Sequence, residues 1–81
     1  MKTLHFIYSD PEHRAKFNEL VSTGKEYYCC ISINYNNETS KADEIAQYYG
    51  AKCTNLPVII ISNDKSSESF YGTNALNFRV N

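Results

Sequence analysis

Five consecutive residues near the N-terminus bring together side chains that could do chemistry: Ser9, Asp10, Pro11, Glu12 and His13. A hydroxyl, two carboxylates and an imidazole could hold a ligand, and an imidazole on this exposed first turn could act as an acid or base near neutral pH. The same residues suit a helix start, with Asp10 as N-cap, Pro11 in the first helical position and Glu12 near the positive end of the helix dipole. Both interpretations remain open, and capping explains more of the residues.

Three cysteines and His5 are the other candidates for chemistry. Cys29 and Cys30 are adjacent, and because neighbouring strand residues point to opposite faces they are poorly placed to bond each other. The odd cysteine count argues against a disulfide framework and favours a reducing compartment, the cytoplasm. No zinc-type spacing is present, so no metal is expected. We predict that Cys29 and Cys30 fill core space and that His5, inside the first strand, is a packed or edge histidine and not a metal ligand.

Length and charge restrict the chain to one small domain with few classes of partner. Its 81 residues are predicted to form a single domain over 1–81. The net charge is −1 with acids and bases interspersed, which excludes the basic footprint of a nucleic-acid-binding protein. No apolar run approaches the roughly 18 residues that span a bilayer, so no membrane partner is expected. Abundant Asn, Tyr, Lys and Ile are typical of an AT-rich genome, such as that of a phage.

The first half of the chain has a strand, a helix and a second strand. The β-favouring run Thr3–Tyr8 lacks strict alternation, which predicts a strand covered on both faces. A helix is predicted over Pro11–Gly24, with Phe17 and Leu20 on its apolar stripe and a glycine at its end. The run Tyr27–Ile33 is predicted to be the second strand.

The second half adds a helix, a hairpin and a short helical tail. Ser40 and Asp43 approximate a capping box for a helix that ends at Gly50. The later elements are predicted as a strand at Leu56–Ser62, a turn at Asn63–Ser67, an edge strand at Ser69–Tyr71 and one or two helical turns within Thr73–Val80. The predicted order is therefore β-α-β-α-β-β-α.

This order predicts a three-layer α/β/α domain around a four-stranded mixed sheet. Strands joined through helices favour parallel pairing with right-handed crossovers, so the first three strands are predicted to be parallel. The final hairpin then adds an antiparallel edge strand. Helices must cover both faces of so small a sheet.

The order and spacing resemble the glutaredoxin branch of the thioredoxin fold over essentially the whole chain. Three stretches carry the resemblance: "FIYSDPEHRAKF", "TNLPVIII" and "YGTNAL". The first is similar to the family's strand, loop and helix, and the second to its Thr-Val-Pro element, whose proline is cis. The third is similar to the glycine-bearing turn into the last helix. The resemblance implies a thioredoxin-like, glutaredoxin-like fold.

The family's Cys-x-x-Cys or Cys-x-x-Ser motif has no counterpart here. Aligning on Pro11 puts Asp10 and His13 at the two cysteine positions, whereas aligning on "HRAK" puts Ser9 and Glu12 there. A thiolate is the nucleophile in disulfide exchange, and neither a carboxylate, an imidazole nor an unactivated hydroxyl can replace it. The resemblance therefore implies the family's shape without its ordinary activity.

The family's glutathione site is retained only in part. The residue before the cis-proline pairs its backbone with glutathione, and the resemblance assigns this position to Leu56, before Pro57. A Thr or Ser followed by Asp normally holds the γ-glutamyl end, and Thr73 and Asn74 occupy these positions. Asn74 lacks the negative charge that attracts the amino group, and the acidic residues of the first loop repel glutathione's carboxylates. Glutathione binding is expected to be weak, and no other cofactor is expected.

Two functional hypotheses follow from the resemblance. The first is a non-catalytic binding protein that holds a protein or peptide partner as an added strand at the groove beside Pro57. The second is a divergent thiol-disulfide oxidoreductase that uses Cys53, four residues before Pro57, or a glutathione site in which Ser9 supports a bound thiolate. The absence of the cysteine pair favours the binding protein over the enzyme.

Overall fold

The computed structural model describes residues 1–80 as one mixed sheet with helices. The predicted order β-α-β-α-β-β-α is confirmed, with an additional 3-10 turn before the first helix. The elements are β1 (Lys2–Tyr8), the 3-10 turn (Pro11–His13), α1 (Arg14–Gly24), β2 (Tyr28–Asn34), α2 (Thr39–Tyr48), β3 (Val58–Ser62), β4 (Ser67–Tyr71) and α3 (Thr73–Leu76). Within these residues no helix is long and apolar enough to cross a membrane.

The sheet has the strand order β2-β1-β3-β4, and one predicted strand direction is wrong. β1 and β2 are parallel as predicted, but β3 is antiparallel to β1, and Val58 pairs with Ile7. The reason is the nine-residue link 49–57 between α2 and β3, whose last seven residues, 51–57, run back along the sheet. Extended chain can span about 23 Å over seven residues, which is longer than a five-residue strand of about 17 Å. The link therefore returns the chain to the end of the sheet where β1 stops.

One face of the sheet packs against α1 and α3. Leu4, Phe6 and Tyr8 project from β1 towards this face, where Phe17 and Leu20 of α1 meet them. Ala75 of α3 closes the same cluster. The predicted apolar stripe of the first helix thus packs directly against β1 in this cluster.

The other face packs against α2. The sheet contributes Ile7, Ile33 and Ile60 to this side of the core. The small side chains of Ala42 and Ala46 let α2 approach the sheet closely. Because helices cover both faces, the predicted three-layer α/β/α arrangement is confirmed.

His5 lies on the α2 face and is 8% exposed, as predicted for a packed strand histidine. Its ring centroid is 5.8 Å from that of Tyr49. Burial, with a smaller contribution from the positive charge of Lys41, lowers the pKa of His5 below its ordinary value. The imidazole is therefore held in its neutral form under α2.

The start of α2 differs from the predicted capping box. Its N-cap, Glu38, makes no side-chain capping hydrogen bond, and Ser40 lies within the helix. Thr39 instead donates from its hydroxyl to the Tyr35 carbonyl at 2.6 Å. Asp43 does not cap the helix, because its carboxylate accepts a hydrogen bond from the Tyr35 hydroxyl at 3.1 Å.

The β3–β4 hairpin is longer than predicted, since β4 begins at Ser67 and not at Ser69. The Asn63 side chain closes the turn by accepting from the amides of Lys65 and Ser66 at 2.8 and 2.9 Å. These bonds satisfy turn amides that the ladder leaves unpaired, so β4 can start two residues earlier.

Lys16 fixes the C-terminal segment against α1, a feature that the apolar pattern does not reveal. The residue is 8% exposed, and its Nζ donates to the Phe78 carbonyl at 2.6 Å and to Glu19 at 3.0 Å. Arg79 also reaches Glu19, at 3.3 Å. The hydrogen bond from Lys16 lowers the pKa of Glu19, so the carboxylate is charged and holds both cations.

Candidate functional site

One end of the sheet collects all three segments that carry the family resemblance. β1 stops at Tyr8, just before the first loop, and Val58 pairs with both Ile7 and Tyr71. The start of β3 and the end of β4 therefore lie beside the end of β1. We call this the Pro57 end of the sheet, formed by residues 9–13, 55–57 and 72–74.

The first loop is a capped turn, as one of its two interpretations predicts. The Asp10 carboxylate accepts from the Glu12 amide at 2.9 Å, and the His13 amide donates to the Asp10 carbonyl at 3.0 Å. These bonds make Pro11–His13 a 3-10 turn, so the α-helix begins only at Arg14 and not at Pro11. Since Asp10 is occupied with capping, its carboxylate is only partly available to a ligand.

His13 is half-buried, whereas the sequence places it on an exposed first turn. Its Nδ1 is buried and has no hydrogen-bond partner within residues 1–80. The ring packs at the helix start instead of projecting into solvent. The Nδ1 atom is therefore not accessible from solvent.

The Pro57 segment is fixed against the turn before α3. The Leu56–Pro57 peptide bond is cis, and the Pro57 carbonyl accepts from the Gly72 amide at 2.9 Å. Asn55 adopts a positive φ of 54° and lies against Gly72, whose own φ is 53°. A Cβ on Gly72 would lie 2.6–2.8 Å from the Asn55 side chain, so only glycine fits there.

Asn55 is a site-forming residue that the sequence analysis missed. Asn tolerates positive φ better than other non-glycine residues, and this is the signal that could have identified it.

Leu56 has a free backbone at this end of the sheet. Its side chain packs into the cluster under α2. Neither its amide nor its carbonyl has a hydrogen-bond partner among residues 1–80. One donor and one acceptor are thus held in place beside Pro57, which is the pair that an added strand requires.

Thr73 and Asn74 lie exposed in the first turn of α3. The helix has only four residues, its N-cap is Gly72, and no side chain caps it. Ala75, which is fully buried, anchors the turn to the core. The hydroxyl and the amide are therefore positioned near Pro57 but supply no charge.

Cys53 is half-buried beside Asp43, in an environment that disfavours the thiolate. Burial, reinforced by hydrogen bonding to the Asp43 carboxylate and by its negative charge, raises the pKa of Cys53 to about 11. The same carboxylate raises the pKa of Tyr35 through their hydrogen bond. A thiol that ionises so late is a poor nucleophile near neutral pH.

The pKa of Cys53 gives a direct test of the enzyme hypothesis. In a Cys29→Ser, Cys30→Ser background, iodoacetamide should modify Cys53 with a pH midpoint of about 11. Asp43→Asn should lower the midpoint and speed modification severalfold at pH 8, because the repelling carboxylate is gone. Glu44→Gln, the neighbouring exposed residue on α2, should change neither quantity. A midpoint near 8 in the Cys29→Ser, Cys30→Ser background without Asp43→Asn would contradict this assignment and restore Cys53 as a redox candidate.

The other two cysteines only partly follow the core-filling prediction. All three cysteines are free, Cys30 is half-buried, and burial raises its pKa. Cys29 is exposed, so the prediction is wrong for this residue. β2 is an edge strand, and α2 covers Ile33 near its far end but does not extend over Cys29.

Three cavities lie at the opposite end of the sheet from Pro57. Their volumes are about 510, 290 and 420 Å³. They are lined by residues of the chain start, the β1 and β2 starts, the α2 end and the β3–β4 turn: Met1, Lys2, Thr3, Tyr27, Tyr28, Tyr48, Tyr49, Gly50, Ser62, Asn63, Asp64, Lys65, Ser66, Ser67 and Val80. None of these three cavities is lined by a residue of the Pro57 end.

Within residues 1–80, no group of three or more His, Cys, Asp and Glu side chains is placed to hold a metal ion. Comparisons of the chain with protein-family models, with curated proteins and with solved structures found no match.

Proposed function

We propose that this chain is a thioredoxin-fold, glutaredoxin-like protein that binds an extended peptide or protein segment and performs no thiol-disulfide exchange. The strand order β2-β1-β3-β4, with β3 antiparallel to β1, supports this fold assignment. The three free cysteines fit a reducing compartment such as the cytoplasm.

The observation that carries the proposal is the free backbone of Leu56. An added strand needs an amide and a carbonyl that point out of the fold in a fixed geometry. Leu56 has both groups without a partner among residues 1–80, and the Gly72–Pro57 hydrogen bond holds the adjacent residue in place. Ser9, half-buried, and Asn74, exposed, flank this backbone and can contact the side chains of the bound segment.

The thiols of this chain are poorly placed or poorly ionised for disulfide exchange. No cysteine lies in the first loop, and the pKa of Cys53 is raised to about 11. Its thiolate therefore amounts to roughly one part in 10⁴ at pH 7. Glutathione remains a weak ligand in this proposal, since it would pair with the same Leu56 backbone.

A peptide selection with NMR mapping tests the proposal. Peptides selected from a randomised seven-residue library should shift the amide signals of Leu56, Val58 and Gly72. N-methylation should then be scanned along the selected peptide. Because an added strand bonds through alternate residues, methylation should weaken binding about tenfold at every second position and little between them.

Three outcomes would contradict the binding proposal. They are a selection that yields no binder, shifts at the opposite end of the sheet, and an N-methylation scan without alternation. Reduced glutathione, titrated in parallel with a mixed-disulfide reduction assay, is expected to bind weakly and to support no turnover. Turnover abolished by Cys53→Ser would establish the enzyme instead.

A further inference from the structure

A row of small polar side chains crosses the sheet near the C-terminal end of α2. Thr3 of β1 pairs with Cys29 of β2 on one side and with Ser62 of β3 on the other. Ser62 pairs in turn with Ser67 of β4. Directly paired residues project from the same face of a sheet, and Ser62 lies two positions after Ile60, which shares a core cluster with α2. The row therefore lies on the α2 face, where three of its members offer hydroxyl groups.

Ser62 is the most buried member of this row, and its hydroxyl has no hydrogen-bond partner within residues 1–80. The residue is only 4% exposed. The Ser67 hydroxyl, by contrast, donates to the Tyr49 carbonyl at 3.2 Å. Among the described residues, the fully enclosed and unpaired side-chain nitrogen and oxygen atoms are Nδ1 of His5 and Nδ1 of His13. The unpaired Ser62 oxygen is therefore accessible from the cavity that this residue lines. A largely buried hydroxyl without a partner is unfavourable for folding, and a ligand would supply the partner.

Two tyrosines from the end of α2 line the same cavity, which has a volume of about 290 Å³. The rings of Tyr48 and Tyr49 meet edge to face, with their centroids 4.9 Å apart. Tyr49 is held in turn by the buried His5 ring, 5.8 Å away. Tyr48 is 81% exposed, so most of its surface is free for a ligand. The cavity thus combines fixed aromatic surface with the hydroxyls of the polar row.

The β3–β4 turn completes the cavity with one donor and one acceptor. The Asn63 side-chain oxygen already accepts from the amides of Lys65 and Ser66, so its NH₂ group is the part left for a ligand. Asp64 contributes an acceptor and is the one charged side chain among the described residues that line this cavity. Hydroxyls both donate and accept, so the whole set is mixed and nearly neutral. An anion would be repelled by Asp64, and a cation would leave the donors unpaired. A neutral ligand with several hydroxyl groups pairs with all of them.

We propose that this cavity binds one sugar ring of a neutral carbohydrate, independently of the peptide site at the other end of the sheet. The apolar C–H face of the ring packs on Tyr48 and Tyr49, and its hydroxyls bond to Thr3, Ser62 and Asp64. The volume of about 290 Å³ lies at the lower end of ligand cavities, which fits a single ring. The adjoining cavity of about 420 Å³ shares both tyrosines and the start of the turn, so a second sugar can continue there.

An NMR titration with four neutral sugars tests the proposal. Glucose, galactose, mannose and N-acetylglucosamine are each added to about 50 mM. At least one should shift the amide signals of Thr3, Tyr49 and Ser62 saturably, with a dissociation constant on the order of 1 mM, and leave that of Leu56 unchanged. Choline and inorganic phosphate serve as the cationic and anionic probes and should cause no saturable shift. The proposal is overturned if none of the sugars saturates, if choline or phosphate binds more tightly than the sugars, or if the shifts are centred on Leu56.

Ser62→Ala distinguishes a hydroxyl that binds ligand from one that supports the fold. The variant should weaken sugar binding about three- to tenfold, because one hydrogen bond is lost. Its urea midpoint should be no lower than that of the wild type, because the hydroxyl has no partner to lose within residues 1–80. Ser69→Ala is the matched control: Ser69 is half-buried, pairs with Ile60 on the same face and lines none of the three cavities, so its affinity should be unchanged. Equal affinities of the two variants, or a lowered midpoint for Ser62→Ala, overturn the assignment.

Discussion

Phe6→Ala is expected to lower the free energy of unfolding by about 3–5 kcal/mol. Phe6 is fully buried in the middle of the sheet, and its ring lies 5.9 Å from those of both Tyr8 and Phe17. Truncation removes the largest fully buried side chain and leaves a cavity between β1 and α1 that both elements must close. A domain of this size has a total stability of about 4–12 kcal/mol, so the variant should be close to unfolding.

Urea denaturation measures this loss. With a slope of about 1 kcal/mol per molar urea, the midpoint should fall by roughly 3–5 M. Phe78→Ala is the matched control, because Phe78 packs only partly buried on the margin of the same cluster, against Phe70. Its loss should be about 1–2 kcal/mol. Equal losses for the two variants would show that the core is not centred on β1.

The sequence predicts the element order well because its strongest signals are local. The β-favouring run around Phe6, the stripe of Phe17 and Leu20 and the glycine after it all agree with one another. Each such signal needs only neighbouring residues to be interpreted. The three-layer arrangement then follows from burying an apolar sheet on both faces.

The direction of β3 is not a local property, and the sequence prediction is wrong there. A helix between two strands usually returns the chain for a parallel strand, but here segment 51–57 of the link runs back along the sheet. Its residues, among them Cys53 and Asn55, show no hydrophobic periodicity that would indicate an extended conformation. The consequence for the site is large, because this reversal brings Pro57 to the end of β1.

Most residues of the candidate site can likewise be predicted from the sequence, but the contacts between them cannot. Pro57 and Thr73 stand out in the sequence through the family resemblance, whereas the Asn55–Gly72 contact depends on two positive φ angles. Lys16 shows the same limit, since its burial depends on a carbonyl 62 residues away. Contacts between distant segments leave no pattern in a single sequence.

Gly72→Ala is expected to lower the free energy of unfolding by about 2–4 kcal/mol. At φ 53° and ψ −123° the residue lies outside the regions that L-residues occupy, so alanine is strained there. The new Cβ would also lie within 2.8 Å of the Asn55 side chain. Both effects disturb the hydrogen bond that the Gly72 amide donates to the Pro57 carbonyl. The NMR signal of the neighbouring Leu56 amide should therefore shift as well.

Two variants separate the backbone strain of Gly72→Ala from its steric clash. Gly50→Ala also requires a positive φ, of 75°, but a Cβ there meets no atom within 4 Å, so it should cost only about 1–2 kcal/mol. Asn55→Gly keeps a residue suited to a φ of 54° and removes the side chain that clashes. In a double-mutant cycle, Asn55→Gly should restore the part of the unfolding free energy that Gly72→Ala loses through the steric clash. It should not restore the part that is lost through backbone strain. If Gly72→Ala costs no more than Gly50→Ala, the Asn55 amide must rotate away freely, and the Asn55–Gly72 contact does not hold the Pro57 end together.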